Sequence, residues 1–193
     1  MTRFFILGAP DSIWGDYGDI LMNGMSCHLE RENNLIQLER TGPFIPPISF
    51  PGIGDLVITD SFKKQLQKSD LIGLRFQPVI KKHIVHLDWH LWDKSSEEPA
   101  EYPVDGEPES YILENPHSKK ISQKLGDLWE IQINKNASIH RGKDIELITS
   151  TWKGEDLFGC NDVGYVYATE KAKDWLEKQV PEYVNFRETN TRE

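Results

Sequence analysis

The chain is built from short apolar runs separated by polar breaks, and one such rhythm occurs twice. Leu56, Val57 and Ile58 form an apolar run of strand length. Residues 60–68 follow with Phe62 and Leu66 four positions apart, which places both on one face of a short helix. Thr59 stands where a helix N-cap is needed, and Asp60 sets a negative charge at the positive end of the helix dipole. Residues 70–73 break the helix and 74–79 return as a strand. The same order recurs from 164 to 187: a strand 164–169, a helix from Glu170 to Gln179 with Ala172, Leu176 and Val180 on one face, and a strand at 184–186. At a constant offset of 110 residues, Gly54/Gly164, Thr59/Thr169, Lys63/Lys173, Leu66/Leu176, Lys68/Lys178 and Phe76/Phe186 are identical. The shared cap, helix face and terminal phenylalanine predict a pseudo-repeat of two strand–helix–strand units, about 54–79 and 164–187.

Elsewhere the period is two. From Ile84 to Trp92, Val85, Leu87, Trp89 and Leu91 alternate with His86, Asp88 and His90, the pattern of a half-buried strand. Residues 127–134 alternate likewise, with Trp129, Ile131 and Ile133 opposite Glu130 and Gln132, and 145–151 reads as a further strand. The N-terminal third is rich in glycine and proline. It predicts one hairpin, Cys27 and Leu29 going out, a turn at 32–34, and Ile36 and Leu38 returning. The proline-dense stretch 42–54 reads as a surface connection. Strands outnumber helices, so the expected class is α+β on a mainly antiparallel sheet. With 193 residues and 38% hydrophobic residues, the chain suits a single domain, 1–193. The same length admits two lobes, 1–92 and 111–188, joined by the loop 93–110, with 188–193 as a tail.

Charge changes this picture at one place. There are 22 lysines and arginines against 31 aspartates and glutamates, a net charge of -9, which argues against nucleic acid or an anionic membrane as partner. Asp93, Glu97, Glu98, Glu101, Asp105, Glu107 and Glu109 fall in the loop 93–110, offset only by Lys94. Prolines and Gly106 deny this loop a regular element, and mutual repulsion is expected to hold it extended unless something cationic covers it. Trp92 beside it is the natural apolar anchor of a protein-binding patch. The apolar run 4–7 is too short for a secretory signal or a membrane span and reads as a first strand. A cytoplasmic protein is expected, with Cys27 and Cys160 as reduced structural thiols.

Candidate chemistry is sparse. His86, Asp88 and His90 share a face if the strand continues through them, and zinc accepts that donor set. Alternate residues on an exposed strand face are polar by default, so this metal site is the alternative reading and no cofactor is expected. Neither cysteine lies in a protease signature, no serine sits in a nucleophile elbow, and there is no phosphate loop or dinucleotide fingerprint.

The run from Asp55 to Phe62, followed by Gly73-Leu74-Arg75-Phe76-Gln77-Pro78-Val79, resembles the strand–helix–"G-L-x-F-x-P-V" unit of bacterial polymorphic-toxin immunity proteins. Residues 127–131, 142–147 and the second unit ending at Phe186 are similar to their C-terminal half, so the likeness covers roughly 54–79 and 127–187. One branch of these proteins carries paired C-x-x-C-G motifs. This chain has none, and no metal role carries over. The resemblance implies a non-enzymatic cytoplasmic antidote that binds a cognate toxin domain, one with a basic surface or cleft. The residues expected to meet it are Trp92 and the seven loop carboxylates named above.

Overall fold

A computed structural model describes residues 2–26 and 28–193. In chain order the first half holds β1 (Phe4–Gly8), α1 (Gly15–Asn23), β2 (Gln37–Gly42), β3 (Ile48–Gly52), β4 (Asp55–Thr59), α2 (Asp60–Leu66), β5 (Phe76–Pro78) and β6 (Ile80–His86). After the acidic loop come α3 (Ser110–Glu114), α4 (Lys119–Lys124), β7 (Leu128–Ile131), β8 (Ser138–Arg141) and β9 (Ile145–Ile148). The chain ends with β10 (Leu157–Cys160), β11 (Val163–Thr169), α5 (Glu170–Gln179), β12 (Asn185–Glu188) and β13 (Asn190–Arg192). The class is α+β with mainly antiparallel sheets. The pairs β2–β6 and β9–β13 are parallel. Among the described residues, no helix is long and apolar enough to cross a membrane.

Two four-stranded sheets carry the frame, ordered β3-β4-β7-β5 and β10-β11-β1-β12. Each is a hairpin, a helix and a return strand, with a fourth strand inserted between the hairpin and the return. The inserted strand comes from the other half of the chain: β7 enters the first sheet and β1 the second. The registers agree residue by residue. Thr59 pairs with Leu128 as Thr169 pairs with Phe4, and Phe76 pairs with Ile131 as Phe186 pairs with Leu7. Both helices start on the expected cap, Thr59 accepting from the Phe62 amide and Thr169 from the Ala172 amide. One core lies between the units: Leu56, Ile58, Phe62, Leu66 and Ile131 from one side meet Leu7, Val166, Ala168, Ala172 and Leu176 from the other.

Several sequence expectations are corrected. Gly15, Gly18 and Gly24 hide a helix, α1, which buries Tyr17 and Leu21. The hairpin predicted across 27–38 is absent on the described residues. Asn33 and Asn34 do turn with positive φ, but only the Glu32–Leu35 bridge forms there, and 37–42 pairs in parallel with β6. Cys27 itself lies outside the described residues. The proline-rich 42–54 contains β3, and Pro51 is tolerated because β3 is an edge strand. The strand expected through Trp92 stops at His86, and a 3₁₀ turn follows at Trp89–Leu91. The terminal residues 190–192, read as tail, pair with β9.

Candidate protein-binding face

The acidic loop is folded, not extended. It lies on α1, a helix that begins with Trp14 in the left-handed region at φ 62°, where bulky side chains are rare. Trp14 Nε1 donates to the Ser96 carbonyl at 3.0 Å, and its ring packs at 5.9 Å from Trp92. One turn on, Tyr17 donates to the Glu101 carbonyl at 2.8 Å and packs against Tyr102 at 4.7 Å. Tyr111, from α3, reaches the Glu101 carboxylate at 3.2 Å, and burial first, then that carboxylate, pushes its hydroxyl up to about 12. These aromatic anchors hold the backbone so that its carboxylates need no cation to stay in place.

Asp93, Glu97, Glu98, Glu101, Asp105, Glu107 and Glu109 are all exposed, as the sequence predicts. Three of them also organise the loop, Glu101 through Tyr111 and two others by holding its turns. Asp93 accepts from Ser95, and Asp105 accepts from Ser110 Oγ at 2.7 Å and from the Glu107 amide, which holds both carboxyls below the usual range. Trp92 is half-buried against Trp14 rather than displayed, so it props the loop instead of standing out as an anchor.

Beneath this face α1 is tied down by Arg40 of β2, which is 0% exposed and donates to the carbonyls of Thr41, Met22 and Phe44. Burial lowers its pKa to about 9, and no carboxylate bonds to it among the described residues. Sequence reasoning passed over Arg40 because its neighbours read as an ordinary alternating strand. The predicted core position of Trp89 is borne out at 1% exposure, whereas Trp129 is only half-buried, under Lys63.

His86, Asp88 and His90 are not brought together. Asp88 turns the chain at φ -92°, ψ 53°, and His90 stacks its ring on Phe44 at 3.8 Å. No group of three His, Cys, Asp or Glu side chains is placed to hold a metal among the described residues. Cys160 is fully buried, and burial pushes its thiol up to about 11, away from a reactive thiolate.

Two depressions flank the hairpin β3–β4. One, of about 420 Å³, is polar: Arg31 grips Glu130 with both ends of its guanidinium and bonds Asp55 at 2.7 Å, so its charges largely satisfy one another. The other, of about 640 Å³, is walled by Ile20, Phe50, Ile53 and Leu113, and Asp19 and Glu109 also line it. It lies beside the acidic loop, between α1, the tip of the hairpin and α3.

The charge around this second groove is one-sided. Between Arg3 and Arg31 there is no lysine or arginine, but Asp11, Asp16, Asp19 and Glu30 occur. Between Lys94 and Lys119 there is again none, against seven acidic residues. The two stretches are far apart in sequence and meet through the Trp14 and Tyr17 contacts, which brings two acidic segments free of lysine and arginine together. The run of carboxylates in the loop was visible in the sequence; its union with α1 was not, because nothing local joins Trp14 to Ser96. No family model, curated protein or solved structure matches the chain.

Proposed function

We propose that this chain is an immunity-type binding protein that neutralises a cognate bacterial toxin domain by protein–protein contact and catalyses nothing itself. The observation that carries the reading is the anchored acidic face: seven exposed loop carboxylates held on α1 by tryptophan and tyrosine hydrogen bonds. A preorganised negative surface accelerates encounter with a cationic cleft and loses little entropy on docking. The resemblance of 54–79 and 127–187 to polymorphic-toxin immunity proteins points the same way, and cytoplasmic action in bacterial competition follows from it. We also infer that the two hairpin–helix–strand units are a pseudo-repeat, which supplies a rigid frame for that face.

The test is co-expression with the toxin domain encoded beside this chain, scoring survival and co-purification. Protection with a stable complex is expected; a toxin that kills regardless and does not co-purify refutes the proposal. Reversing Glu97, Glu98 and Glu107 to lysine is expected to slow association by roughly tenfold or more at low salt and to flatten its salt dependence. An unchanged association rate removes the loop from the interface.

A further inference from the structure

The groove between α1, the hairpin tip and α3 joins apolar walls to an acidic rim. Its walls present bare hydrocarbon, with Ile53 82% exposed and Leu113 53% exposed. Exposed aliphatic side chains concentrated at one concavity mark an interaction site more than isolated ones do. Its surroundings are acidic: Asp19 and Glu109 line it and no lysine or arginine does, the acidic loop adjoins it, and His28 on its wall is already bonded to Glu39 at 2.9 Å. An anionic or neutral occupant would meet this field unfavourably or gain nothing from it. A cationic one gains on approach and again on seating.

We propose that this groove receives an apolar side chain carried on a lysine- or arginine-rich segment of the partner polypeptide, an assignment that rests on the binding-protein reading above. The apolar side chain fills the space between Ile20, Phe50, Ile53 and Leu113, and the flanking cations face Asp19 and Glu109. The loop steers and the groove retains. The two parts therefore separate kinetically, loop substitutions changing the rate of arrival and groove substitutions the rate of departure.

Ile53→Asp and Leu113→Asp suit the test because both side chains are already exposed, and an unchanged melting temperature verifies that each variant folds. A random dodecapeptide library displayed on phage is selected on the intact protein and counter-selected on the double variant. Enrichment of sequences with a large apolar residue flanked by lysine or arginine is expected. A synthetic copy of an enriched peptide should bind the double variant roughly a hundredfold more weakly, and its lysine-to-glutamate version should not bind. Enrichment without basic residues, equal binding to the double variant, or no enrichment overturns the proposal. So does full toxin protection by the double variant with an unchanged dissociation rate. Basic peptides that bind the groove of a protein giving no protection support the groove and sink the immunity reading, so the two fail separately.

Discussion

The two four-stranded sheets share one wiring and differ in what covers them. On the inner side they converge, with Leu66 and Leu176, Ile131 and Leu7, and Leu56 and Val166 all entering the common core. Each also seats a lysine over aromatic rings at the corresponding place: Lys63 on Trp129 and Phe76, Lys173 on Phe5 and Phe186. On the outer side they part. Val57 and Leu128 pack under Ile36, Leu38 and Val79, toward the chain that bears the acidic face. Tyr167 and Phe4, which hold the corresponding positions, pack with Phe158, Leu147 and Cys160 under the small sheet of β8, β9 and β13. Two sheets of like wiring thus share one core, while their outer faces are covered unequally.

The largest test of that comparison lies where the units touch. Phe62 and Ala172 occupy the same helix position, and Phe62 packs at 5.8 Å from Trp175 of the other helix. Phe62→Ala is expected to cost about 3–5 kcal/mol in chemical denaturation, and Ala172→Phe about 1–3 kcal/mol by overpacking. Equal small losses would show that the units do not share a core. The two caps come next. Thr59 bonds only locally, but Thr169 also donates to buried Asp156 at 2.6 Å. Thr59→Ala should cost about 1 kcal/mol and Thr169→Ala about 2–3 kcal/mol, since the latter leaves a buried carboxylate short of a partner. Urea midpoints that coincide would contradict the difference.

Smaller still is the lysine rung. Lys63→Met is expected to lose about 0.5–1 kcal/mol and Lys173→Met less, because indole is the better cation acceptor and the Lys63 ammonium is the closer one, 2.9 Å from the ring centroid against 5.4 Å. The smallest effect belongs to the outer covering. Burial, then Lys94, lowers the His90 pKa from 6.5. The unfolded chain therefore takes up this proton first as pH falls, so the His90 contribution is complete above about 6.5 and declines below it. His90→Phe preserves the stack on Phe44 and should flatten part of the acid-side loss, read as a smaller shift in urea midpoint between about pH 7.5 and about pH 5.5. A parallel decline in both proteins would remove His90 as a source.

The frame was legible where local rules suffice. Thr59 and Thr169 announce their helices because a hydroxyl before an apolar turn has one use, and the spacing of Phe62 from Leu66 and of Ala172 from Leu176 needs no tertiary knowledge. The inserted strands were not legible. Nothing near Leu128 or Phe4 says which sheet each will enter, since strand partners are chosen by packing over long separations. Helix α1 was masked by its own glycines, and the strand expected through His90 ended early because alternation persists in sequence after Asp88 has turned the backbone. Of the candidate face, the carboxylates could be read directly. Their anchoring depends on Trp14 and Tyr17, more than eighty positions from the carbonyls they hold.

The exchange of β1 and β7 sets the order in which this molecule can come into being. Strand β1 cannot be flanked until residues 163–188, which form β11, α5 and β12, have been made. The N-terminal sheet likewise waits for residues 128–131. Neither sheet can close from its own half of the chain, so each is completed by a pairing of long sequence separation, the slow kind to form.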